Sequence, residues 1–498
     1  MIIICNYKIV CTIIPEKFYF WGVVMMIDRK ILLRGSALAV LAALNTPAEA
    51  LQKPQTMEEM WKIIEAQQKQ IDEMKTLMAD ATKKQESPAP QGNVKTLERK
   101  TDILSQEVEK LRTNLVIPEE PKYKSAYGLG PAASKVYQVG KGLSIGGYGE
   151  AIYQANVGEK GDNKDNADLE RMVLYAGYKF TDRILFNSEL EFEHATTGEG
   201  DEEKGEVSVE FAALDFFLHK MANVRAGLVL MPMGFINQIH EPPFFFGNHR
   251  PEVEQRIIPS TWREVGLGLF GQLTDDLAYT AYAVNGLDAS GFSSDGIREG
   301  RGGGSQAKAE NFGFVGRFDY TPKAVPGVMV GGSAYFGKSG QNQTFAGQHP
   351  DVFTQLYEGH LQWKYRGFEF RTLGSWGHVG DADLLSLDSR LNQTPENAQI
   401  IGAESFGWYA EAGYDVLPWL FKDTTQYLAP FVRYERLDTI AKAPNGFPDD
   451  PTKDWQIYQA GIQYKPIPNV VIKADYRNRV AKQGPLSDDF NLGFGFIF

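Results

Sequence analysis

The chain has only two cysteines among its 498 residues, Cys5 and Cys11, and both precede the residue at which we expect the mature protein to begin. The mature chain would contain no thiol, which excludes disulfide bonds, thiolate ligands and a cysteine nucleophile. Positive charge is also in short supply, because 51 Lys and Arg residues face 63 Asp and Glu residues and leave a net charge of −12. A net negative charge disfavours nucleic acid as a partner.

Hydrophobicity is low as well, with a mean hydropathy of −0.31, which argues against a helical membrane protein. A β-barrel alternates membrane-facing and water-facing residues, so it can span a bilayer without looking hydrophobic on average. At the N-terminus, the basic residues 28–34, an apolar stretch at 37–44 and the small residues Ala48 and Ala50 are typical of a signal peptide. We therefore assign residues 1–50 to a leader and signal peptide, with an uncleaved anchor as the alternative.

Residues 51–115 show heptad spacing and predict an α-helical coiled coil in the periplasm. Pro and Gly interrupt the pattern at residues 87–93. An amphipathic helical hairpin folded on itself is the alternative. A Pro- and Gly-rich linker is expected at residues 116–142. The apolar heptad positions are Met57, Met60, Ile64, Ile71, Met74, Met78, and then Val94, Leu97, Leu104, Val108 and Leu111, with Thr101 in register.

From Leu143 onward, segments of about ten residues alternate apolar and polar side chains and are separated by turn residues. Such alternation gives a strand one apolar face and one polar face. The strands of a soluble β-sandwich also alternate apolar and polar side chains. The lengths of the connections between strands are therefore needed to distinguish a sandwich from a barrel. The clearest segment is the last, in which Phe490, Leu492, Phe494, Phe496 and Phe498 alternate with Asn491, Gly493 and Gly495.

The connections between these segments alternate between short and long. Long polar loops are centred near Gly161, Gly200, Pro243, Ser294, Gln343, Ser386, Asn445 and Gly484, with a short turn between each pair. Seven short turns and eight long loops predict sixteen strands. Because sixteen is an even number, the first and the last residue of the barrel sequence should both lie on the periplasmic side. We therefore predict an all-β fold, a sixteen-stranded antiparallel transmembrane β-barrel at residues 143–498, with an N-terminal periplasmic coiled-coil extension in the bacterial outer membrane.

Residues 407–416 (GWYAEAGYDV), residues 429–436 (APFVRYER) and the closing strand resemble the phosphate-selective porin O/P family of outer-membrane porins. The N-terminal coiled coil is similar to the dicarboxylate-channel branch of such porins. The resemblance implies a homotrimer and a third outer loop folded into the pore. The chain departs from the family pattern in lacking a dense ladder of Lys and Arg.

The longest connection, residues 232–262, is the third outer loop, and we expect it to form a constriction with mixed charges. A solvated lid outside the pore is the alternative. His240 and His249 have no recognised metal-ligand spacing, so no metal site is predicted. No Ser–His pair can be identified, so no catalytic residues and no enzyme activity are predicted. The constriction residues are His240, Glu241, His249, Arg250 and Arg256.

Basic residues recur on the predicted polar faces of the strands, where a guanidinium could bind phosphate or carboxylate in a two-pronged hydrogen bond. Acidic residues share these faces, so salt bridges that stiffen the barrel are the alternative. Arg225 and Arg433 are expected to face water in the bore. The predicted channel-lining residues are Arg225, Arg371, Arg433, Glu435, Lys473 and Arg477.

These features together predict an outer-membrane porin that lets small hydrophilic solutes diffuse passively, with anions of the phosphate or carboxylate class preferred. No cofactor is expected. The expected partners are two further copies of the chain, small anionic solutes and outer-membrane lipids, with peptidoglycan as a further contact of the coiled coil. The alternative function is a structural or adhesive barrel that contacts the cell wall through its coiled coil.

Overall fold

The computed structural model describes residues 69, 72, 124–158, 164–196, 205–422 and 424–498. Lys69 and Asp72 are helical. The predicted signal peptide and the rest of the predicted coiled coil lie outside the described residues. The chain divides between Ile117 and Pro118, and the barrel belongs to the unit that begins at Pro118. Among the described residues, no helix is long and apolar enough to cross a membrane.

Within the described residues, sixteen antiparallel strands form one closed barrel, and each strand pairs with its neighbours in sequence. β1 pairs with β16 from Tyr148–Ile497 to Val157–Asp488 and so closes the sheet. The strands are β1 (Gly142–Val157), β2 (Asn166–Thr181), β3 (Ile184–Glu193), β4 (Val207–His219), β5 (Ala222–Leu230), β6 (Arg263–Gln272), β7 (Leu277–Asn285), β8 (Phe312–Tyr320), β9 (Val328–Lys338), β10 (Phe353–Tyr365), β11 (Phe368–Val379), β12 (Glu404–Tyr414), β13 (Tyr427–Lys442), β14 (Asp454–Ile467), β15 (Val470–Ala481) and β16 (Asp488–Ile497).

The predicted sixteen-strand barrel is confirmed. The connections alternate in length only in part, because the predicted long loop between β15 and β16 (482–487) is shorter than the predicted short connection between β12 and β13 (415–426). The barrel begins at Gly142 rather than Leu143, and Pro466 lies inside β14 rather than in the following turn. One of the two-residue hairpins joins β10 to β11 through Arg366 and Gly367, whose φ angles are 48° and 85°. Positive φ at both turn positions matches the right-handed twist of a two-residue hairpin, and glycine adopts it without strain.

The barrel wall is the inverse of a soluble core, with apolar side chains exposed on the outside and polar side chains buried on the inside. Along β16, Phe494 is 51% exposed, whereas the neighbouring inward-facing Asn491 is fully buried. The same alternation runs through β8, where Phe314 and Phe318 point outward and Arg317 points inward. This outer surface suits contact with lipid tails rather than with water.

Long loops fill part of the barrel interior. The third loop, residues 231–262 between β5 and β6, packs Met231, Met233 and Trp262 against wall residues such as Tyr335 and Tyr409. The remaining helical elements of the described barrel unit lie in loops and turns. They are α1 (Ala382–Asn392), α2 (Leu417–Leu420), short 3-10 helices at Ala133–Tyr137, Pro242–Phe244, Ala289–Gly291, Arg298–Gly300 and Pro451–Lys453, and a π-helix at Val253–Ile257.

Residues 124–141, here called the mouth segment, precede β1 and fall within the predicted linker. The segment lies against the inner wall in the half of the barrel that contains the short turns. Leu129, Ala132 and Ala133 are buried in one apolar cluster with Tyr148 and Phe211. The sequence of the mouth segment does not predict this burial, because its glycines and proline are typical of an exposed loop.

The outward-facing Leu267 in the middle of β6 tests whether the apolar exterior contacts lipid. Leu267→Arg should destabilise the bilayer-inserted barrel by roughly 2–4 kcal/mol, because a charge on the lipid-facing surface loses its water. Denaturant unfolding of the barrel in lipid vesicles measures the change. Gln393→Arg, which adds the same side chain at an exposed position outside the strands, is the matched control. Equal stability of the two variants would show that β6 does not face lipid.

Candidate functional site: the third loop inside the barrel

Cationic side chains of the inner wall bind the backbone carbonyl oxygens of the third loop. Lys465 on β14 donates to Pro243 O at 2.5 Å, and Arg371 on β11 donates to Phe244 O at 2.5 Å. Arg433 on β13 donates to Phe246 O at 2.6 Å and to His249 O at 3.2 Å. Lys473 on β15 donates to Gly247 O at 2.7 Å. Charged donors make stronger hydrogen bonds than neutral ones, so this stretch of loop is held firmly to the wall.

Acidic wall residues bind the loop's N–H groups in the same region. Asp475 on β15 accepts from the backbone N of Asn248 at 2.8 Å and from its side-chain amide at 2.6 Å. Glu435 on β13 accepts from Val253 N at 3.2 Å. Both kinds of backbone group in the loop are therefore satisfied by charges on β11–β15, although the loop joins no sheet there.

Aromatic side chains add an apolar component to this attachment. The Lys473 ammonium lies 3.7 Å from the centroid of the Phe245 ring, a favourable cation–π distance. Phe246 stacks on Phe431 of β13 with a centroid separation of 5.1 Å. Phe244 also lies beside a wall cation, with its ring centroid 5.8 Å from the Lys465 ammonium. All three consecutive phenylalanines of the loop therefore contact the wall.

All six predicted channel-lining residues point into the barrel, but the structure buries them rather than leaving them open to water. The prediction that Arg225 and Arg433 face water is wrong, since they are 7% and 2% exposed. Arg433 pairs with Glu411 at 2.8 Å, and Arg477 forms two bonds to Asp489 at 2.8 and 2.9 Å. The six are Arg225, Arg371, Arg433, Glu435, Lys473 and Arg477.

Arg225 differs from the other predicted channel-lining cations because it binds the mouth segment instead of the third loop. Its guanidinium forms two bonds to Asp215, at 2.7 and 2.8 Å. It also donates to the Tyr137 hydroxyl at 3.0 Å and to Tyr127 O at 3.2 Å. The Tyr137 hydroxyl in turn donates to Asp215 at 2.8 Å, which completes a buried network of three side chains.

The predicted constriction residues of the third loop all lie inside the barrel, yet they have different environments. His240 contacts Glu189 of β3 at 3.1 Å, and burial lowers the pKa of His240 to about 3, so its ring is neutral near neutral pH. Burial and the charge of Arg477 also lower the pKa of His249. Arg256 is half-buried and pairs with Glu252 at 3.0 Å and with Asp295 at 2.9 Å.

Glu241 connects the third loop to the mouth segment. Its carboxylate accepts from Ala132 N at 2.9 Å and from Ala133 N at 3.2 Å. Burial raises the pKa of Glu241 to about 8, because the two N–H bonds offset only part of the cost of a buried charge. This contact spans more than a hundred positions in sequence and could not be read from local spacing.

Arg250 is the member of the predicted set whose charge is uncompensated. Within the described part of the chain it forms no ion pair, and its Nε and Nη2 atoms are buried with no hydrogen-bond acceptor. Its charge acts on Glu189 and Glu191 of β3, which lie beyond ion-pair distance from it, and each of these has one carboxylate oxygen without a hydrogen-bond donor. The Glu191 oxygen keeps a 3.6 Å ion pair with Arg171. Buried polar atoms are rarely left unpaired, so these buried groups of the loop and β3 suit water or a polar solute. The region between Arg250 of the loop and Glu189 and Glu191 of β3 is here called the narrow gap.

Sequence reasoning missed several residues that matter for this geometry. Lys465 and Arg317 both bind loop carbonyls, the latter at Gly234 O, and Glu254 accepts from Phe235 N, Ile236 N and the Tyr409 hydroxyl. Period-two alternation places Lys465 and Arg317 on the inner face, so the signal was present but did not distinguish them from other wall charges. Among the described residues, no group of three or more His, Cys, Asp or Glu residues could hold a metal ion.

Arg433→Ala tests the attachment of the third loop. The change leaves two loop carbonyls without their charged donor and leaves Glu411 with only the 3.6 Å pair to Arg371. We expect a loss of roughly 3–5 kcal/mol in unfolding free energy, measured by denaturant titration of the folded barrel. Arg436→Ala is the control on the same strand, because Arg436 is part-exposed and pairs with Asp454. Its cost should stay below about 1 kcal/mol. Similar losses in both variants would contradict the anchoring role of Arg433.

Glu241 should give the barrel a distinct pH dependence. The folded protein holds the Glu241 proton more tightly than the unfolded chain, so stability falls as pH rises from the ordinary carboxyl value toward about 8 and is then constant. Each pKa unit is worth about 1.4 kcal/mol, so the fall is a few kcal/mol at most. Glu241→Gln removes this component, and the difference between the two unfolding profiles from pH 5 to pH 9 isolates it. Parallel profiles would contradict the raised pKa.

No protein-family model matches the chain. An uncharacterized protein of Aquifex aeolicus (strain VF5) is 39% identical over 393 residues, which are 78% of this chain and 87% of that protein. Salmonella typhi OmpF in complex with daunomycin has a TM-score of 0.46 at 14% identity, covering 72% of this chain and 98% of that one. The outer membrane channel DcaP of Acinetobacter baumannii has a TM-score of 0.45 at 13% identity, with coverages of 72% and 97%.

The barrel fold rests on this chain's own strand pairing rather than on these distant structural likenesses. The relationship to the Aquifex aeolicus protein is much stronger, because 39% of the aligned residues are identical and the alignment extends over most of both proteins. This chain therefore belongs to the same protein family as the Aquifex aeolicus protein.

Proposed function

We propose that the chain is an outer-membrane porin through which small hydrophilic solutes diffuse passively. The observation that carries the proposal is a closed sixteen-strand barrel, within the described residues, whose outer surface is apolar and whose inner surface is charged. Such a wall fits a bilayer on one side and water on the other. The short turns would lie in the periplasm and the long loops at the outer surface, and no chemical reaction is proposed.

The solute path in this proposal runs through the narrow gap between the third loop and β3. On its other side, the loop is hydrogen-bonded to charged residues of β11–β15. Apolar side chains of the loop and of the wall fill the space beside β5–β13. The narrow gap instead contains atoms of Arg250, Glu189 and Glu191 that have no hydrogen-bond partner among the described residues. A passage needs polar groups that are free to exchange water for solute, and binding there must stay weak enough for release.

Anion preference, for solutes of the phosphate or carboxylate class, is part of this proposal and rests on Arg250. The other predicted site cations either pair with carboxylates or hold loop carbonyls, as described for Arg371, Arg433 and Lys473. An unpaired guanidinium binds an oxyanion with two parallel hydrogen bonds. Membership in the phosphate-selective porin O/P family remains a prediction from the sequence resemblance.

The filled interior favours a second candidate, a structural or adhesive barrel that carries no solute. Both the third loop and the mouth segment occupy the bore. In this alternative the predicted coiled coil of residues 51–115 would contact peptidoglycan. Planar-bilayer recordings separate the two functions, because stepwise currents support the porin and a silent, correctly folded barrel supports the structural role.

The proposed assembly is a homotrimer held in outer-membrane lipids, with the N-terminal region in the periplasm. The sequence support is the heptad pattern of residues 51–115 and the family resemblance. The apolar outer wall would contact lipid, except where it meets neighbouring protomers.

Arg250→Gln tests the proposed path and its anion preference. The amide keeps most of the polar shape but removes the one uncompensated charge of the predicted set in the narrow gap, so the ratio of anion to cation permeability should fall, roughly twofold or more. Reversal potentials across a salt gradient measure it. Arg256→Gln is the control in the same loop, because Arg256 is already paired with Glu252 and Asp295 and should change the ratio little. Equal reversal potentials in wild type and Arg250→Gln would place selectivity elsewhere.

A further inference from the structure

The mouth segment is built into the barrel by specific polar contacts. Its Ala132 and Ala133 N–H groups bind Glu241 of the third loop, while Ala133 O accepts from the Asn187 amide of β3 at 2.9 Å. Val139 O accepts from Lys179 of β2 at 3.1 Å. Together with the Tyr137–Asp215–Arg225 network, these bonds attach the segment to β2, β3, β4, β5 and the third loop. An adventitious loop would not satisfy so many buried groups at once.

Apolar and aromatic contacts complete the fit. Tyr127 packs on Tyr137, Phe217 and Phe270, with ring centroids 4.9, 5.1 and 5.4 Å away. On the other side, Val136 lies over Gly177 of β2 so closely that a Cβ at Gly177 would come within 2.7 Å of the Val136 Cγ2 atom. The segment therefore occupies a groove whose floor is a glycine, and any side chain there would displace it.

The segment is nevertheless separate from the sheet. It adds no strand to the barrel ladder, and two glycines, Gly140 and Gly142, flank its connection to β1. Gly142 has φ of 99°, and a Cβ at either position would meet no atom within 4 Å. Glycines in open space allow a wide range of backbone conformations. This connection can therefore act as a hinge between the segment and β1.

A cavity of about 700 Å³ lies beside the mouth segment at the short-turn end of the barrel. Tyr127 and Tyr137 line it from the segment, Phe217 and Phe270 line it from the wall, and Gln238 of the third loop lines it from above. The segment thus narrows the end of the bore that the cavity occupies, directly below the loop that forms the narrow gap.

We propose that the mouth segment is a plug that restricts the short-turn end of the bore, and that its displacement at the Gly140–Gly142 hinge widens the passage. The proposal rests on the porin function proposed above. Glu241 links the plug to the third loop, so release of the plug also frees residue 241, next to His240 and the narrow gap.

Two substitutions at one position test the plug in opposite directions. Gly177→Leu places a side chain where Val136 lies and should expel the segment, raising the unitary conductance roughly twofold or more. Val136→Cys with Gly177→Cys should lock it, because a Cβ at Gly177 lies 2.8 Å from the Val136 Cβ, and a small outward shift reaches the usual disulfide separation of about 3.8 Å. The predicted mature chain has no other thiol to compete.

Planar-bilayer recordings on the full-length protein, with Cys5 and Cys11 replaced by Ser, provide the measurement. The oxidised double-cysteine variant should show fewer openings than wild type, and dithiothreitol should restore the wild-type openings. Gly316→Leu is the control, because a Cβ at that outward-facing glycine meets no atom within 4 Å. It should conduct like wild type.

The outcomes separate the plug from the porin function. Stepwise currents that neither Gly177→Leu nor the reversible disulfide alters would overturn the plug alone. Silence of wild type and Gly177→Leu alike, with correctly folded barrels, would overturn the porin function and the plug with it. If Gly177→Leu does not fold, the comparison of the oxidised and reduced double-cysteine protein decides by itself, since both states share one sequence.

Discussion

The attachment of the third loop by wall charges is the constraint on which the rest of the interior depends. A long loop inside a barrel cannot satisfy its backbone through a sheet ladder, and each buried carbonyl without a donor costs free energy. Lys465, Arg371, Arg433 and Lys473 supply those donors along a short stretch of loop. Inward-facing cations are thus required by the folding of the loop before any role in transport, and their number alone says little about selectivity.

Between Pro243 and Val253, the charged wall residues that bind the loop backbone come from β11–β15. The proposed path lies on the other side of the loop, where the acidic residues Glu189 and Glu191 of β3 are buried and His240 contacts Glu189. Arg250 projects from the loop toward that wall without forming a pair. A guanidinium opposite carboxylates across a gap produces a transverse field in a region of low dielectric constant. The field exists because the neighbouring cations are already committed to the loop.

Strand number, loop order and side-chain direction could be predicted from the sequence, because each depends on local chemistry. Period-two alternation put Arg225 and Arg433 on the inner face, and the lengths of the connections gave sixteen strands, as found in the described residues. Alternation reports where a side chain points but not what lies opposite it. The partners of Arg433 are a strand neighbour, Glu411, and carbonyls at Phe246 and His249, which lie nearly two hundred positions away. Such contacts depend on closure of the barrel, so the spacing of residues in the sequence does not predict them.

Composition misleads most strongly at the mouth segment, and the reason is physical. Glycine, proline and alanine are typical of a linker, but they also allow a chain to lie close to neighbouring groups, as Gly130 does beside the Glu241 carboxylate. A buried segment differs from a linker in having hydrogen-bond partners for its buried backbone groups, and here Glu241 is such a partner. Its carboxylate is costly to bury, yet it caps two N–H groups that would otherwise be orphaned. The residues immediately after Glu241 are fixed to the wall. In the proposed displacement of the mouth segment, Glu241 loses both of its donors, and this change falls next to His240, which contacts Glu189 at the edge of the narrow gap.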